Sequence, residues 1–450
     1  MMRCIQMKSF FIHLSASLSC LLLIMAALLF PRQCPASPSK SDIPLKARVV
    51  LSRAAALMKV KAYERAIALL SAFQARGGQM VEKGKDDPWG YHHPEIYFAL
   101  GTCYLFENEC KKAVPLFEKA LKKDPGLISA WLNLARADYE LGDYHRAARC
   151  FENAYERTST KNPDYLYDSA IAHLMAQEYG PSIRVFQRLL KHHPDNFTSA
   201  WRESFVHALL SAGRQREALP HIRLLIQAFS GKKKIQWQEI LLKMYMQLGM
   251  RREALAYARS LTAQAPTRAK WWKALAHIYL QDASYAPALT ALTIYGYLSP
   301  LTDRERRLLA DLHLRLGIPA KAALLYESEL KKKSDPRLLY NLVVALQQLG
   351  KPEKALEALN RLAPESKDAE ILVLKADLLY GLKRYRQAAQ SYLLAAKADT
   401  RHKGRAWLMA GYAALQTHDV KLCRSALRHA AQFRQHRKAA LLALRRMDPG

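Results

Sequence analysis

Acid is scarce beside base in this 450-residue chain: 39 Asp and Glu stand against 69 Lys and Arg, a formal charge of +30. Such a balance excludes long-range attraction to basic partners and favours anionic polymers, lipid headgroups or acidic proteins, without choosing among them. Gly (18) and Pro (20) are too few for a collagen-like or low-complexity chain. With 50% hydrophobic residues, the sequence describes an ordered, helix-rich protein with ample core. Three of the seven cysteines precede residue 37; the rest, Cys103, Cys110, Cys150 and Cys423, show no zinc-site spacing. They read as small core residues, although export would permit a disulfide. His92-His93 and His192-His193 precede prolines without a carboxylate or cysteine framework, so they read as loop residues and no metal or other cofactor is expected. A phosphate-binding glycine loop, a His-Glu-x-x-His pair and a nucleophile in a recognisable turn are all missing. No catalytic constellation supports an enzyme, and no small-molecule substrate is expected.

One long apolar run stands at the start. Arg3 and Lys8 lead into the unbroken run Leu21 to Phe30, Pro31 ends it, and Cys34 and Ala36 are small residues before a cut ahead of Ser37. Residues 1–36 therefore read as a secretory signal, with translation starting at Met1 or Met7. The alternative is an uncleaved anchor from Leu14 to Phe30, close to the lower length limit for a span, which would be the chain's only membrane contact. Removal takes three bases and no acids, so 66 basic against 39 acidic residues, or +27, belong to the working part.

From residue 47 the sequence repeats. A small residue before an apolar run recurs at Ala66, Ala113, Ala147, Ser182, Ala218, Ala254, Ala288, Ala322, Ala355, Ala388 and Cys423, with spacings of 47, 34, 35, 36, 36, 34, 34, 33, 33 and 35 residues. Each unit holds two short helices, and the recurring small residue marks where they cross too closely for a larger one. Gly142, Gly213, Gly249, Gly317 and Gly350 recur at one offset between the helices, where a left-handed cap is wanted. Pro125, after Asp124, and Pro194, after His193, stop second helices. One hairpin cannot bury both of its faces, so neighbours must stack.

The pattern Tyr97, Leu100, Gly101, Tyr104, Ala113, Phe117, Ala120, Pro125 resembles the tetratricopeptide repeat, as do Trp131, Leu134, Ala135, Ala147, Phe151, Ala154 and Trp272, Leu275, Ala276, Tyr279, Ala288, Pro300. The resemblance implies an all-α fold, a right-handed superhelical α-solenoid of about eleven helical hairpins over residues 47–435. A linker at 37–46 precedes it and a capping helix and tail at 436–450 follow, with Ala440, Leu441 and Leu444 as the apolar set of the cap. The first spacing leaves a loop insertion near residues 77–93, including Trp89, which either contributes to binding or packs over the first hairpin. Lys232 to Lys234 and Lys331 to Lys333 are expected in loops between units.

In this family a concave groove is lined mainly by first helices. The corresponding positions give an apolar stretch, Phe98, Leu105, Phe106, Leu132, Tyr139 and Tyr167, with Leu174 and Met175. Farther along they give a basic stretch, Lys243, Lys270, Lys273, Arg304, Arg307 and Arg337, with His277 and Arg315. The first set would accept an apolar polypeptide segment and the second acidic groups; the bland alternative is hairpin packing and a solvated face. The family's carboxylate clamp is absent as such, since the neighbours of Asn133 are Phe98, Thr102, Asp164 and Tyr167, and those of Asn341 are Arg307, Asp311, Glu370 and Leu374. The expected function is a non-catalytic scaffold that binds a protein partner in its groove, within a bacterial-type cell envelope. The alternative is binding of an anionic polymer by the basic stretch: acidic polysaccharide, lipid headgroups or nucleic acid.

Overall fold

The computed structural model describes residues 43–81, 87–332, 335–363, 368–398 and 402–447. The expected signal or anchor, most of the linker and the last residues of the tail lie outside them. No helix among the described residues is long and apolar enough to cross a membrane.

The chain is all-α and divides into two compact units, up to Leu241 and from Leu242 on. In the first, hairpins pair Leu45–Lys59 with Tyr63–Val81, Pro94–Phe106 with Cys110–Lys123, Ile128–Glu140 with Tyr144–Arg157, Pro163–Met175 with Tyr179–His192, and Ser199–Ser211 with Gln215–Ala228. The sixth hairpin follows, Gly231–Gln247 with Arg251–Gln264. The second unit continues with Ala269–Gln281 and Tyr285–Leu298, Asp303–Arg315 and Pro319–Lys332, Pro336–Gln348 and Pro352–Leu362, Ala369–Gly381 and Tyr385–Lys397, and Lys403–Gln416 and Val420–Ala431. A last helix, Arg437–Met447, closes the array.

One turn closes all eleven hairpins. Gly142, Gly213, Gly249, Gly317 and Gly350 take φ between +67° and +83°. Lys61, Asn108, Gln177, Ala283, Lys383 and His418 hold the same place in the other six at φ of +55° to +60°. The next residue's N–H then reaches back to the helix end, as in Asp143 N to Asp138 O at 2.9 Å and Ser284 N to Tyr279 O at 2.9 Å. This bond satisfies a carbonyl the helix would otherwise leave without a partner.

The crossing residue comes five positions after the left-handed one, and in all eleven hairpins it is 0% to 1% exposed. At the one polar example, Ser182 Oγ donates to Ala170 O at 2.8 Å, so its hydroxyl is buried but bonded. The close approach recurs on first helices: a Cβ at Gly101 would lie 2.8 Å from the Phe117 ring, and one at Gly411 2.7 Å from Leu427. Around these contacts the first unit packs Phe117, Leu134 and Phe151 into one cluster. The second unit packs Tyr326, Leu342 and Val343 into another, then Leu379 and Tyr392 into the next. Side chains also tie neighbouring hairpins about one repeat apart. Asn133 reaches Thr102 across 31 residues and Lys233 reaches Glu203 across 30; in the second unit Asn341 reaches Asp311 across 30 and Arg405 reaches Asp377 across 28.

Three expectations change. The second helix of the first hairpin runs to Val81, so Gly77 is helical and not part of a loop. It faces the returning segment, for a Cβ there would lie 2.4 Å from Tyr91, whose ring also meets Phe73 at 4.7 Å. Asp87 fastens that segment by accepting from the Tyr91 and His92 N–H groups, and Lys46 sits 3.4 Å over the Trp89 ring. Second, both lysine runs belong to helix ends. Lys232 to Lys234 open Gly231–Gln247, where Lys233 pairs with Glu203 at 2.9 Å; Lys331 and Lys332 close Pro319–Lys332, where positive charge suits the dipole, and Lys333 lies outside the described residues. Third, the final helix packs through Ala440, Ala443, Leu444 and Met447, a helical stripe, and leaves Leu441 exposed.

The shared turn predicts opposite outcomes for two exchanges. Gly142→Ala should destabilise the chain by about 1–2 kcal/mol, whereas Ala283→Gly should be neutral or stabilise by up to about 1 kcal/mol, because only L-side chains carry the left-handed penalty. Urea titration followed by far-UV circular dichroism measures both.

Candidate partner-binding faces

In the first unit the apolar positions are mostly committed to packing. Leu105 is 5% exposed within the second hairpin's core, so it is interior and offers no contact surface. Phe98 lies 6.2 Å from the Phe117 ring and Leu132 packs on the same cluster. Tyr139 meets Tyr144 edge-on at 4.9 Å, and burial with the neighbouring Tyr144 pushes its phenol up to about 12. Tyr167 stacks on Trp201 at 4.9 Å and its hydroxyl lies 3.3 Å from Ser204 Oγ. Leu174 and Met175 are half-buried. Phe106 is the most open of the set at 38% exposure, although it stacks on Tyr63 at 5.2 Å with Arg136 over its ring.

The basic positions of the second unit are more exposed, and the structure sorts them by partner. Lys273 Nζ pairs with Glu305 at 2.7 Å and lies 5.4 Å from the Tyr295 ring; the hydrogen bond to Glu305 raises its pKa. Arg307 bridges to Asp335 at 3.1 Å. Arg315 stacks 3.8 Å over Tyr285. Lys270 lies 5.3 Å from the Trp271 ring, and burial lowers its pKa; Lys243 is half-buried. Arg304 and Arg337 are exposed and make no ion pair among the described residues, and His277 is exposed as well. Each bridge ties one hairpin to the next, a link invisible to a reading that takes one helix at a time.

Beneath this face lies a buried carboxylate. Glu329 is 3% exposed and accepts from Arg306 Nε at 2.6 Å and from Lys332 Nζ at 2.9 Å; Arg306 also reaches Asp303. Burial alone would raise its pKa, but the bonds from Lys332 and Arg306 outweigh it and hold it below the ordinary value of 4.5.

The clamp-like asparagines are also spent inside the scaffold: Asn133 donates to Thr102 at 3.0 Å, and Asn341 to Asp311, which also accepts from Tyr326 at 2.6 Å. The histidine pairs have local tasks. His93 caps its helix by accepting from Glu95 N, and His193 Nε2 lies 2.9 Å from the Tyr155 hydroxyl. All four described cysteines are buried and unpaired, and burial pushes the Cys150 thiol up to about 12. His145, His173 and Glu178 bring three donor atoms within 4.8 Å of one another.

Tetratricopeptide-repeat family profiles match residues 107–152, 132–197 and 307–370. A segment of 70 residues, 16% of this chain, is 33% identical to the mitochondrial ALBINO3-like protein 3 of Arabidopsis thaliana. A segment of 58 residues, 13% of this chain, is 36% identical to the chloroplastic tetratricopeptide repeat domain-containing protein PYG7 of the same plant. These matches span 12% and 19% of the two relatives. Among solved structures, Naa15/Naa10 bound to HypK-THB is similar over 86% of this chain and 68% of its own, at 14% identity and a TM-score of 0.35. The Cut9-Hcn1 hetero-tetramer of APC/C is similar over 85% and 80%, at 14% identity and a TM-score of 0.27.

Arg306→Ala should destabilise the chain by about 1–3 kcal/mol, because it removes one of the two cations bonded to the buried Glu329 carboxylate and leaves only Lys332. Since the Glu329 pKa is depressed on folding, its contribution is full above about pH 4.5 and is lost as pH falls through the lowered folded value. Glu329→Gln should therefore flatten the acid limb of the stability profile. Urea midpoints taken between pH 3 and 7 check both.

Proposed function

The chain carries tetratricopeptide repeats, and we propose that it is a non-catalytic scaffold whose exposed basic first helices hold acidic groups of a partner protein. The carrying observation is the tier of cations on the seventh to ninth hairpins, in which Arg304 and Arg337 remain without an ion pair among the described residues. Guanidinium groups recognise carboxylates through two parallel hydrogen bonds, which suits such a role. Lys273 and Arg307 already hold Glu305 and Asp335, so a partner carboxylate would have to share or displace those acids. Among the apolar positions expected to line a groove on the first unit, Phe106 is the most open.

The pattern of residues 1–36 supports export, with the working chain periplasmic or held by an uncleaved anchor facing the periplasm, and assembly of a cell envelope as its setting. Binding of an anionic polymer by the same cations is the second reading, favoured by the net charge of +30.

Crosslinking and affinity capture of the full chain from its native envelope, followed by mass spectrometry, separates these readings. A protein partner should be retained, capture should be lost when Lys270, Lys273, Arg304 and Arg307 are all changed to Glu, and the retained chain should begin at Ser37 if the signal is cut. Unchanged capture by the quadruple variant removes this face from consideration. A polymer partner shows itself by affinity that falls steeply and linearly in log-log form as salt rises.

A further inference from the structure

Between the third and fourth hairpins of the first unit sits a cluster that the partner-binding reading does not use. His145, on Tyr144–Arg157, places Nδ1 2.8 Å from Glu178 Oε1; His173, near the end of Pro163–Met175, places Nδ1 2.7 Å from Glu178 Oε2. One carboxylate is therefore clasped by two imidazoles from successive hairpins. The other face of His173 is also fixed, with Nε2 3.3 Å from Glu152 Oε1, and Glu152 in turn accepts from Ser169 Oγ at 3.1 Å. In a chain with 69 Lys and Arg, the ion pairs of Glu152 and Glu178 among the described residues are to histidine alone. The nearby Arg146 and Arg188 are turned to Glu118 and Asp138, and to Glu156.

We propose that His145, His173 and Glu178 form a binding site for a divalent transition ion of the Zn²⁺ class, which clips the third hairpin to the fourth. Two imidazole nitrogens and one carboxylate oxygen are the donor set this class prefers, and hard ions such as Mg²⁺ do not. Donors at about 2.0–2.1 Å in a tetrahedron stand about 3.3 Å apart, so the two present contacts must open by roughly half an ångström. Rotation of the exposed His145 opens the first contact, and a shift of the partly exposed Glu178 carboxylate opens the second, to the buried His173. Binding displaces any proton from each Nδ1 to solvent and leaves the Nε2–H of His173 donating to Glu152, the carboxylate–histidine–metal arrangement that orients a ligand from behind. The Glu152 and Glu178 carboxylates balance the ion's two charges. The exposed side of His145 leaves the fourth position to water or to a group from outside.

The test is Zn²⁺ titration of the chelator-treated full chain, by calorimetry and by thermal unfolding. The wild type should bind Zn²⁺ and unfold at a higher temperature in its presence. His145→Ala should bind one fewer ion per chain and lose the thermal shift, with its far-UV spectrum unchanged because His145 is largely exposed. Glu152→Gln should keep the stoichiometry and weaken this site by about 10- to 100-fold. No binding by the wild type, or unchanged stoichiometry and thermal shift in His145→Ala, overturns the proposal.

Discussion

Two helices can lie against each other this closely only where one of them carries a residue with almost no side chain. Everything else in the fold follows from that constraint and from the turn that meets it. The left-handed residue, five positions before the crossing, reverses the chain tightly enough that the second helix lands on the first at Ala, Ser or Cys. Because turn and crossing are locked at fixed separation, each hairpin repeats the geometry of the last, and the next can dock on its apolar side.

Stacking in register has a chemical consequence. Residues about one repeat apart come level with each other, so polar side chains bond from hairpin to hairpin: Asn133 with Thr102, Lys273 with Glu305, Arg307 with Asp335, His145 with Glu178. Such bridges between exposed groups add little stability individually. They do decide which cations of a strongly basic chain stay available to a partner. Glu329, bonded to Arg306 and Lys332, and Asp138, paired with Arg146, are buried exceptions among the described residues.

Much of the fold was legible because its constraint is steric and leaves a mark at one position. The crossing residues and the five turn glycines stand at regular offsets. Lys61, Gln177 and Lys383 take the same left-handed conformation with no compositional sign, and are found only by counting back from the crossing. The faces were harder. Leu105 occupies a position that lines grooves in tetratricopeptide-repeat proteins, yet it turns inward here, since the outcome depends on what the adjacent hairpin presents. The same holds for Leu441, which lost its place in the cap to Ala443 and Met447. The histidine–glutamate cluster left no local motif, because its donors come from two hairpins and meet only once these stack.

Hydrogen exchange on a chain carrying Ala322→Leu tests the stacking most directly, by enlarging one crossing residue that is 0% exposed. Faster exchange in the hairpin 303–332 and in its immediate neighbours, fading with each hairpin beyond, is the expected result for nearest-neighbour stability. A uniform loss of protection across every hairpin would contradict it and point to a single shared core.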